Sequence, residues 1–542
     1  MSKTELKKNI SKIKKLLKQR DYDVIDIGIE LIISLNEREI FETLLDGIKF
    51  EIPIDKKSGW QAKHEWPMEL IRNNFFTGTA PARPYLDYAL WNIIGYAPQK
   101  SRIDKSIKLS NIKKVELEGG IKDPKWEKLP AGFLNFNNLT SLKVSGGCNS
   151  KWVGYNETLT NWSGVKSLDG ISELTSLTHL YISGHDTDNL DFLSSHTNLL
   201  YLKANNCSYL RNIDGVKNCK SLTELNLESC HSLVNLDGLI NCKNLTKLSL
   251  KSCHSLVNID GLINCAKLMD NHRHRSTGYT WEVDFPCFNL EDCSSLVNID
   301  GLINAKQLTG INIRWCPALE NIDGLVNCIN ISNIQFGKND IIKNLDSLAN
   351  KKKIKRLDVG VMIGLEDIKG ITSCSNLTHF RINSSKLTNI KQLANCKKLE
   401  FLDVGICQDI TFILDLKKLK NLRLDSYNTK RVIPPSPNLS TLEAHDIICY
   451  KKRIALVMAL NKNDTKALSK FKDNTSIDLS FCNGLKSVNG LANFGKLTDL
   501  DLSNCKNIKP KPSPVHMSTR AQVIKYQEKL LKKAGKRSSE KI

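Results

Sequence analysis

Residues 222–244 read LTELNLESCHSLVNLDGLINCKN and residues 245–267 read LTKLSLKSCHSLVNIDGLINCAK, so two consecutive 23-residue stretches are near-copies of each other. Their shared pattern is L-x-x-L-x-L-x-x-C-x-x-L-x-N-[IL]-D-G-[IL]-x-x-C-x-x, with Leu222 and Leu245 at position 1. Working outward, further units start at Leu139, Leu177, Leu199, Phe285, Leu308, Ile331, Ile354, Leu377, Leu399, Leu419, Leu439, Asn474 and Leu497. A unit this short holds one strand and one return segment and cannot bury its apolar side alone. Such units stack, each coil covering the next, into a solenoid.

The pattern resembles the leucine-rich repeat, in a variant carrying Cys at position 9 where Asn is usual. That resemblance implies an α/β fold: a leucine-rich repeat solenoid whose curved parallel sheet is linked by short helical or irregular return segments. Positions 1, 4 and 6 point inward, and positions 3, 5, 7 and 8 project from the concave sheet. The Asp at position 16 (Asp214, Asp237, Asp260, Asp300, Asp323, Asp346) is expected to cap the return turn by accepting a backbone N–H. The Asn at position 14 (Asn212, Asn235, Asn258, Asn298, Asn321, Asn344) is expected to hold the turn by hydrogen bonding.

The expected boundaries are a helical N-terminal capping domain over 1–110, the solenoid over 111–505 and a basic tail over 506–542. Insertions are expected near 148–164, 268–284 and 449–473. Apolar spacing predicts helices over residues 1–20, 23–35 and 37–48, the last two separated by Asn36, and another over 86–94. Aromatic residues concentrate between Trp60 and Tyr96, and a cap over the open end of the first coil accounts for them most simply.

The formal net charge of +21 is local: residues 1–20 carry +7 and residues 506–542 carry +9. The body is therefore close to neutral, and any nucleic-acid or anionic-surface contact would go through the termini. No apolar run spans a bilayer, and the lysines interleaved through the first twenty residues are unlike a secretory signal. Fourteen of the 17 cysteines fall in two columns of the repeat, at positions 9 and 21. Stacked columns hold side chains parallel, so packing as free thiols in a reducing cytoplasm is expected over disulfides or metal.

No catalytic constellation is visible. Residues 490–496 have G-x-x-x-x-G-K spacing, but Leu497 stands where Ser or Thr would hold magnesium, and it is position 1 of the last unit. Neither a Gly-x-Ser-x-Gly elbow nor a His-Glu-x-x-His pair occurs. The expectation is a non-enzymatic scaffold without cofactor or metal that binds another protein. Tyr181, Tyr201, Lys203, Glu224, Asn226, Glu228, Arg314, Trp315, Arg381 and Phe401 are the concave-face candidates, chosen because aromatic and Arg anchors dominate interfaces. His272, Arg273, His274, Arg275, Tyr279 and Trp281 form a second, basic and aromatic set in the loop inserted over 268–284. The rivals are association through the basic termini and an N-terminal enzymatic or effector-like module targeted by the repeats.

Overall fold

The computed structural model describes residues 2–17, 19, 21–45, 48–51, 70–73, 114–117, 138–144, 167–274, 285–384, 386–387, 390–405, 410–424, 441–442 and 444–539. Two compact units divide the chain: Met1–Leu308 with Asp323–Cys328, and Thr309–Ile322 with Ile329–Ile542.

The first unit opens with helices α1 (Lys3–Leu17), α2 (Tyr22–Leu35) and α3 (Arg38–Leu45). Asp21 caps α2 by accepting the N–H of Asp23 at 2.9 Å. Asn36, the separator read in the sequence, ends α2 in the left-handed region at φ 45° and donates its N–H to the Ile32 carbonyl, a conformation Asn tolerates better than most residues. Leu6, Ile13 and Leu17 of α1 are buried, as are Ile25, Ile29 and Ile32 of α2. Gly28 permits the crossing, because a Cβ there would lie 3.1 Å from that of Leu16. The helix expected to reach Ile48 stops at Leu45; Ile48–Glu51 is instead β1, paired antiparallel with β2 (Leu70–Asn73). The alternation Ile-Lys-Phe-Glu has the two-residue period of a strand, which decides the segment once the helix has ended. The expected helix over 86–94, the aromatic cluster and the insertion over 148–164 lie outside the described residues.

The coils then follow in chain order. Strands β3 (Lys114–Leu117), β4 (Ser141–Val144), β5 (His179–Tyr181), β6 (Tyr201–Lys203), β7 (Glu224–Asn226) and β8 (Lys247–Ser249) form a parallel sheet, each paired with the next. After β8 the insertion departs from expectation. His272–His274 is a strand, β9, paired antiparallel with β10 (Phe285–Asn289), so this part of it is one arm of a hairpin rather than a surface loop. In the second unit, β11 (Gly310–Asn312), β12 (Asn333–Gln335), β13 (Arg356–Val361), β14 (His379–Asn383), β15 (Phe401–Val404) and β16 (Asn421–Leu424) repeat the parallel order, and β17 (Thr441–Leu442) joins β16 antiparallel.

Leucine and isoleucine at positions 1, 4, 6, 12 and 15 fill the interior; Leu222, Leu227, Leu233, Leu236, Leu245, Leu250, Leu256 and Ile259 are fully buried. What fixes the coil spacing is a set of side chain to main chain ladders. At position 9 the Cys207, Cys230, Cys253 and Cys293 thiols donate to position-6 carbonyls of the preceding coil, those of Ile182, Ala204, Leu227 and Leu250, at 3.2, 3.0, 3.2 and 3.2 Å. At position 20, Asn264 and Asn304 Nδ2 donate to the carbonyls of Ile240 and Ile263 at 3.0 and 2.9 Å. At position 2, the Thr223 and Thr246 hydroxyls donate to the carbonyls of Leu200 and Thr223 at 2.9 and 3.0 Å. Several of these carbonyls, those of Leu200, Thr223, Ile182, Leu227 and Leu250, also accept a backbone N–H, so the side chains take up their second lone pair and tie one coil to the next.

Each return segment is a single 3-10 turn, such as Asp237–Leu239 and Asp260–Leu262. The position-16 aspartates do not cap it. The Asn two residues earlier accepts the Asp N–H instead, at 3.1 Å for Asn235 and Asp237 and 3.2 Å for Asn258 and Asp260. An Asx turn of this kind needs only two residues of chain, which suits a turn too short to present a free helix N-terminus. The glycine that follows is a matter of space: a Cβ on Gly261 would lie 1.9 Å from the Leu236 carbonyl oxygen.

The interruption expected near 449–473 is helical and begins earlier, at Ala444, running to Lys462, with a second helix at Thr465–Ser469. Strands β18 (Ser476–Asp478) and β19 (Asp499–Asp501) are parallel, and β20 (His516–Met517) closes them antiparallel. The stretch set apart as a basic tail is packed as far as it is described. Its helix Arg520–Ser539 buries Val523, Tyr526, Gln527 and Leu530, and Gln527 Nε2 donates to the carbonyls of Leu491 and Phe494 at 2.9 and 3.0 Å. Arg520 adds bonds to the carbonyls of Leu497 and Gly495 at 2.6 and 2.7 Å. This is how a solenoid end is covered.

Candidate functional site

In the first unit, positions 3 and 5 of β5 to β8 carry half-buried side chains on the sheet face opposite the leucines. Register sets Tyr201 beside His179 and Glu224, and Lys203 beside Tyr181 and Asn226. The rings of Tyr181 and Tyr201 lie 5.0 Å apart, tilted at 36°, and His179 stacks on Tyr201 at 6.0 Å. Burial, and secondarily the charge of Glu224, pushes the Tyr201 phenol pKa up, so it stays a neutral donor. Glu224 is engaged, its carboxylate 2.7 Å from Lys247 Nζ. Asn226 is engaged too, its Oδ1 accepting the Glu228 N–H at 3.0 Å to close the turn after the strand. Glu228 is half-buried, and Lys203 has no ion-pair partner among the described residues. Tyr181, Tyr201 and Lys203 are thus the group of candidates that the first unit brings together.

Position 5 differs in the second unit and in β10 of the first. Asn289, Asn312, Gln335, Asp358 and Asp403, expected to project, are buried. Two of them fold back on their own turns: Asn289 and Asn312 Oδ1 accept the N–H two residues on, from Glu291 at 3.0 Å and Arg314 at 3.2 Å. Arg381 lies between Asp358 and Asp403, at 3.8 and 3.4 Å. It neutralises two buried carboxylates, one on the strand at either side of its own. Arg381 is therefore a strut of the sheet rather than a free anchor. Phe401 stacks on His379, centroids 5.8 Å apart and 15° from parallel. Burial and the neighbouring Arg356 charge hold the His379 pKa below its ordinary value.

Arg314 and Trp315 sit where β11 ends. Position 8 is left-handed in coil after coil: Asn206, Ser229, Ser252 and Asp292 in the first unit, and Trp315, Lys338, Phe481 and Asn504 in the second, have φ between 58° and 66°. The cause is another ladder. The position-8 N–H of Ser229 donates to the next coil's Lys251 carbonyl, that of Trp315 to Gly337 and that of Lys338 to Val361, each at 2.8 Å. Asn, Ser and Asp accept this conformation; a bulky side chain is strained in it. Trp315 is held so, with 42 % of its surface exposed, and Lys338 Nζ lies 3.7 Å from its ring centroid. The Arg314 side chain passes over Gly337, where a Cβ would lie 3.7 Å from its Cγ, in ordinary contact. Lys338 was not among the sequence candidates. Aligning position 8 of successive units sets it directly after Trp315, and that signal would have found it.

Of the insertion set, His272, Arg273 and His274 form β9, while Arg275, Tyr279 and Trp281 lie outside the described residues. Among the described residues no group of His, Cys, Asp and Glu converges on a metal position, and every cysteine is a free thiol. Burial pushes the Cys207, Cys253 and Cys265 thiols up to about 12, away from the thiolate. No described helix is long and apolar enough to cross a membrane.

No protein-family model and no curated protein sequence matches the chain. Solved structures do resemble it in part. An internalin (inlF) from Listeria monocytogenes is 19% identical, covering 57% of this chain and 86% of that one, with a TM-score of 0.37. A leucine-rich repeat protein of Leptospira interrogans is 16% identical over 58% of this chain and 91% of that one, TM-score 0.29. The functional domain of InlJ from Listeria monocytogenes, described as including a cysteine ladder, is 16% identical over 58% of this chain and 73% of that one, TM-score 0.25. The coils themselves, a strand and a 3-10 turn every 22 or 23 residues over a leucine interior with a position-9 ladder, make this fold a leucine-rich repeat solenoid.

Proposed function

We propose that the chain is a non-enzymatic interaction scaffold that recognises another protein through the strand faces of its coils. The observation that carries this is the clustering of half-buried and exposed aromatic and cationic side chains on the strand faces and edges. Tyr181, Tyr201 and Lys203 share one face of the first unit, and Arg314, Trp315 and Lys338 share one strand edge of the second. Rigid aromatic side chains supply contact area at low entropic cost, and cations beside them supply orientation. Fold alone names no partner, so the reading rests on these residues.

The rival through the basic termini is weakened by packing. Leu6, Ile13 and Leu17 of α1, and Val523, Tyr526 and Leu530 of the C-terminal helix, are spent on the chain's own interior. The N-terminal enzymatic or effector-like alternative falls largely outside the described residues. The free thiols favour a reducing compartment, and the proposal includes the cytoplasm as the site of action.

Affinity capture tests the reading, with the intact chain beside two variants, one with Tyr181 and Tyr201 changed to Ala and one with Arg314 and Trp315 changed to Ala. Thermal melts would establish that all three baits are folded. A protein recovered by the intact chain and lost from either variant supports it. Equal recovery by all three baits contradicts it.

A further inference from the structure

We propose that Arg314, Trp315 and Lys338 form an anchor for an acidic polypeptide segment. The inference rests on the strand-face reading above and names the chemistry of the partner. Its first ground is strain. The position-8 ladder forces φ 60° on Trp315 and 58° on Lys338, where the other left-handed non-glycine residues at this position, Phe481 excepted, are Asn, Ser or Asp. Asn adopts that conformation at lower cost than an indole, and strain of this kind clusters where a side chain has work outside the fold.

Its second ground is charge. Trp315 is 42 % exposed, with Lys338 Nζ against one side of the ring at 3.7 Å. Among the described residues neither Arg314 nor Lys338 has a carboxylate partner. Other strand-face cations are neutralised, Lys247 by Glu224, Lys251 by Glu291, and Arg381 by Asp358 and Asp403, with Lys203 an exception. The nearest acid in sequence, Asp340, turns its Oδ1 to the N–H of Ile363 at 3.2 Å. Two unneutralised cations, Lys338 against the presented indole and Arg314 next to it in the chain, fit carboxylates near an apolar side chain. The guanidinium accepts a carboxylate in bidentate fashion, and Lys338 contributes a point charge already oriented by the ring.

The test uses the full chain and three fluorescent probes: an alternating Glu/Leu peptide, its Gln/Leu counterpart and an oligouridine RNA. The Glu/Leu peptide should bind, weaken with added salt, and bind at least about fivefold tighter than the Gln/Leu peptide. Trp315→Asn, which keeps the left-handed turn, should weaken it about tenfold. Arg314→Gln with Lys338→Gln should abolish the preference for Glu over Gln. Phe481→Asn removes a bulky side chain from the same position of another coil and should change nothing. Equal binding of the two peptides, no binding of either, or an unaltered Trp315→Asn variant would overturn the proposal. RNA bound with the same dependence on Trp315 would overturn it in favour of nucleic acid. A captured protein that needs Trp315 but ignores charge and salt would sink this inference alone, while loss of every Trp315 and Tyr201 effect would sink the strand-face reading with it.

Discussion

The thiol of Cys253 donates to the main-chain carbonyl of Leu227, one coil back, at 3.2 Å. Asn339 occupies the same position of a later coil, where its Nδ2 reaches the Ile313 carbonyl at 3.0 Å and that of Cys316 at 3.1 Å while its Oδ1 accepts the Gly337 N–H at 2.9 Å. The molecule thus contains both solutions to one problem, and the cysteine makes the smaller set of bonds. Cys253→Ala should destabilise by about 1–3 kcal/mol, since it opens a small cavity and leaves the Leu227 carbonyl with the Cys230 N–H alone. Cys253→Asn, repeating the Asn339 arrangement, should lose less. Urea denaturation of the two variants checks the order, and an alanine variant as stable as the parent would remove the ladder from the account.

The same burial sets reactivity. With the Cys207 and Cys253 thiols pushed up to about 12, the thiolate is scarce and the sulfur covered. Iodoacetamide on the native chain should label exposed Cys449 well before either of them, and peptide mass spectrometry should show their labelling appear only as the chain unfolds. Early labelling of Cys253 would mean that the coils open far more readily than their packing implies.

Gly261→Ala drives a methyl group to 1.9 Å from the Leu236 carbonyl oxygen, whereas a Cβ on Gly495 meets nothing within 4 Å. The first should cost about 2–4 kcal/mol and the second almost nothing. Equal melting temperatures for the two variants would show that the coil spacing is softer than described.

His196 stands where other coils place the position-21 cysteine. It is fully buried, and neither ring nitrogen has a hydrogen-bond partner. Burial lowers its pKa below 6.5; the carbonyls of Ile171, Leu174 and Leu193 favour the charged form but lack full hydrogen-bond geometry, so they offset only part of that penalty. The native ring is therefore neutral, and the unfolded chain takes up the proton first as pH falls. Stability should be unaffected by this residue above about pH 7 and should drop as pH passes down through 6.5 toward the lower folded value. His196→Cys should raise stability and flatten that part of the profile, measured as urea midpoints at neutral and mildly acidic pH. A parallel slope in both proteins would assign the acid sensitivity elsewhere.

Trp315→Asn replaces a bulky left-handed residue with one that tolerates the conformation already seen at Asn206 and Asn504. It should gain about 1 kcal/mol in stability while losing partner affinity. A less stable variant would mean that the indole packs for the fold after all.

The solenoid was legible because one period carries everything a coil needs: leucines for the interior, a small residue where coils touch, and Cys and Asn on carbonyls. Local competition was harder to read. Asp237 and Asn235 are both good turn acceptors, and only geometry shows that the earlier residue reaches the N–H. The resemblance puts position 5 on the surface, yet Asn312 is buried and turns back onto the Arg314 N–H, whereas the alternating signs of Asp358, Arg381 and Asp403 do foreshadow their pairing. Periodicity reports which side of a strand a residue starts from and says nothing of whether its polar atoms are already engaged. β9 was missed for a related reason: its pairing with β10 joins segments on either side of residues that break the repeat.

Hydrogen exchange of the full chain, alone and with a protein captured by it, tests the central claim most directly. Strand-face recognition predicts slowed exchange confined to the ends of β5 to β7 around Tyr181, Tyr201 and Asn226, to the turns following β11 and β12 around Trp315 and Lys338, or to both. Slowing confined to α1 or to the helix Arg520–Ser539, with those strands unchanged, would contradict the account and move recognition to the chain's ends.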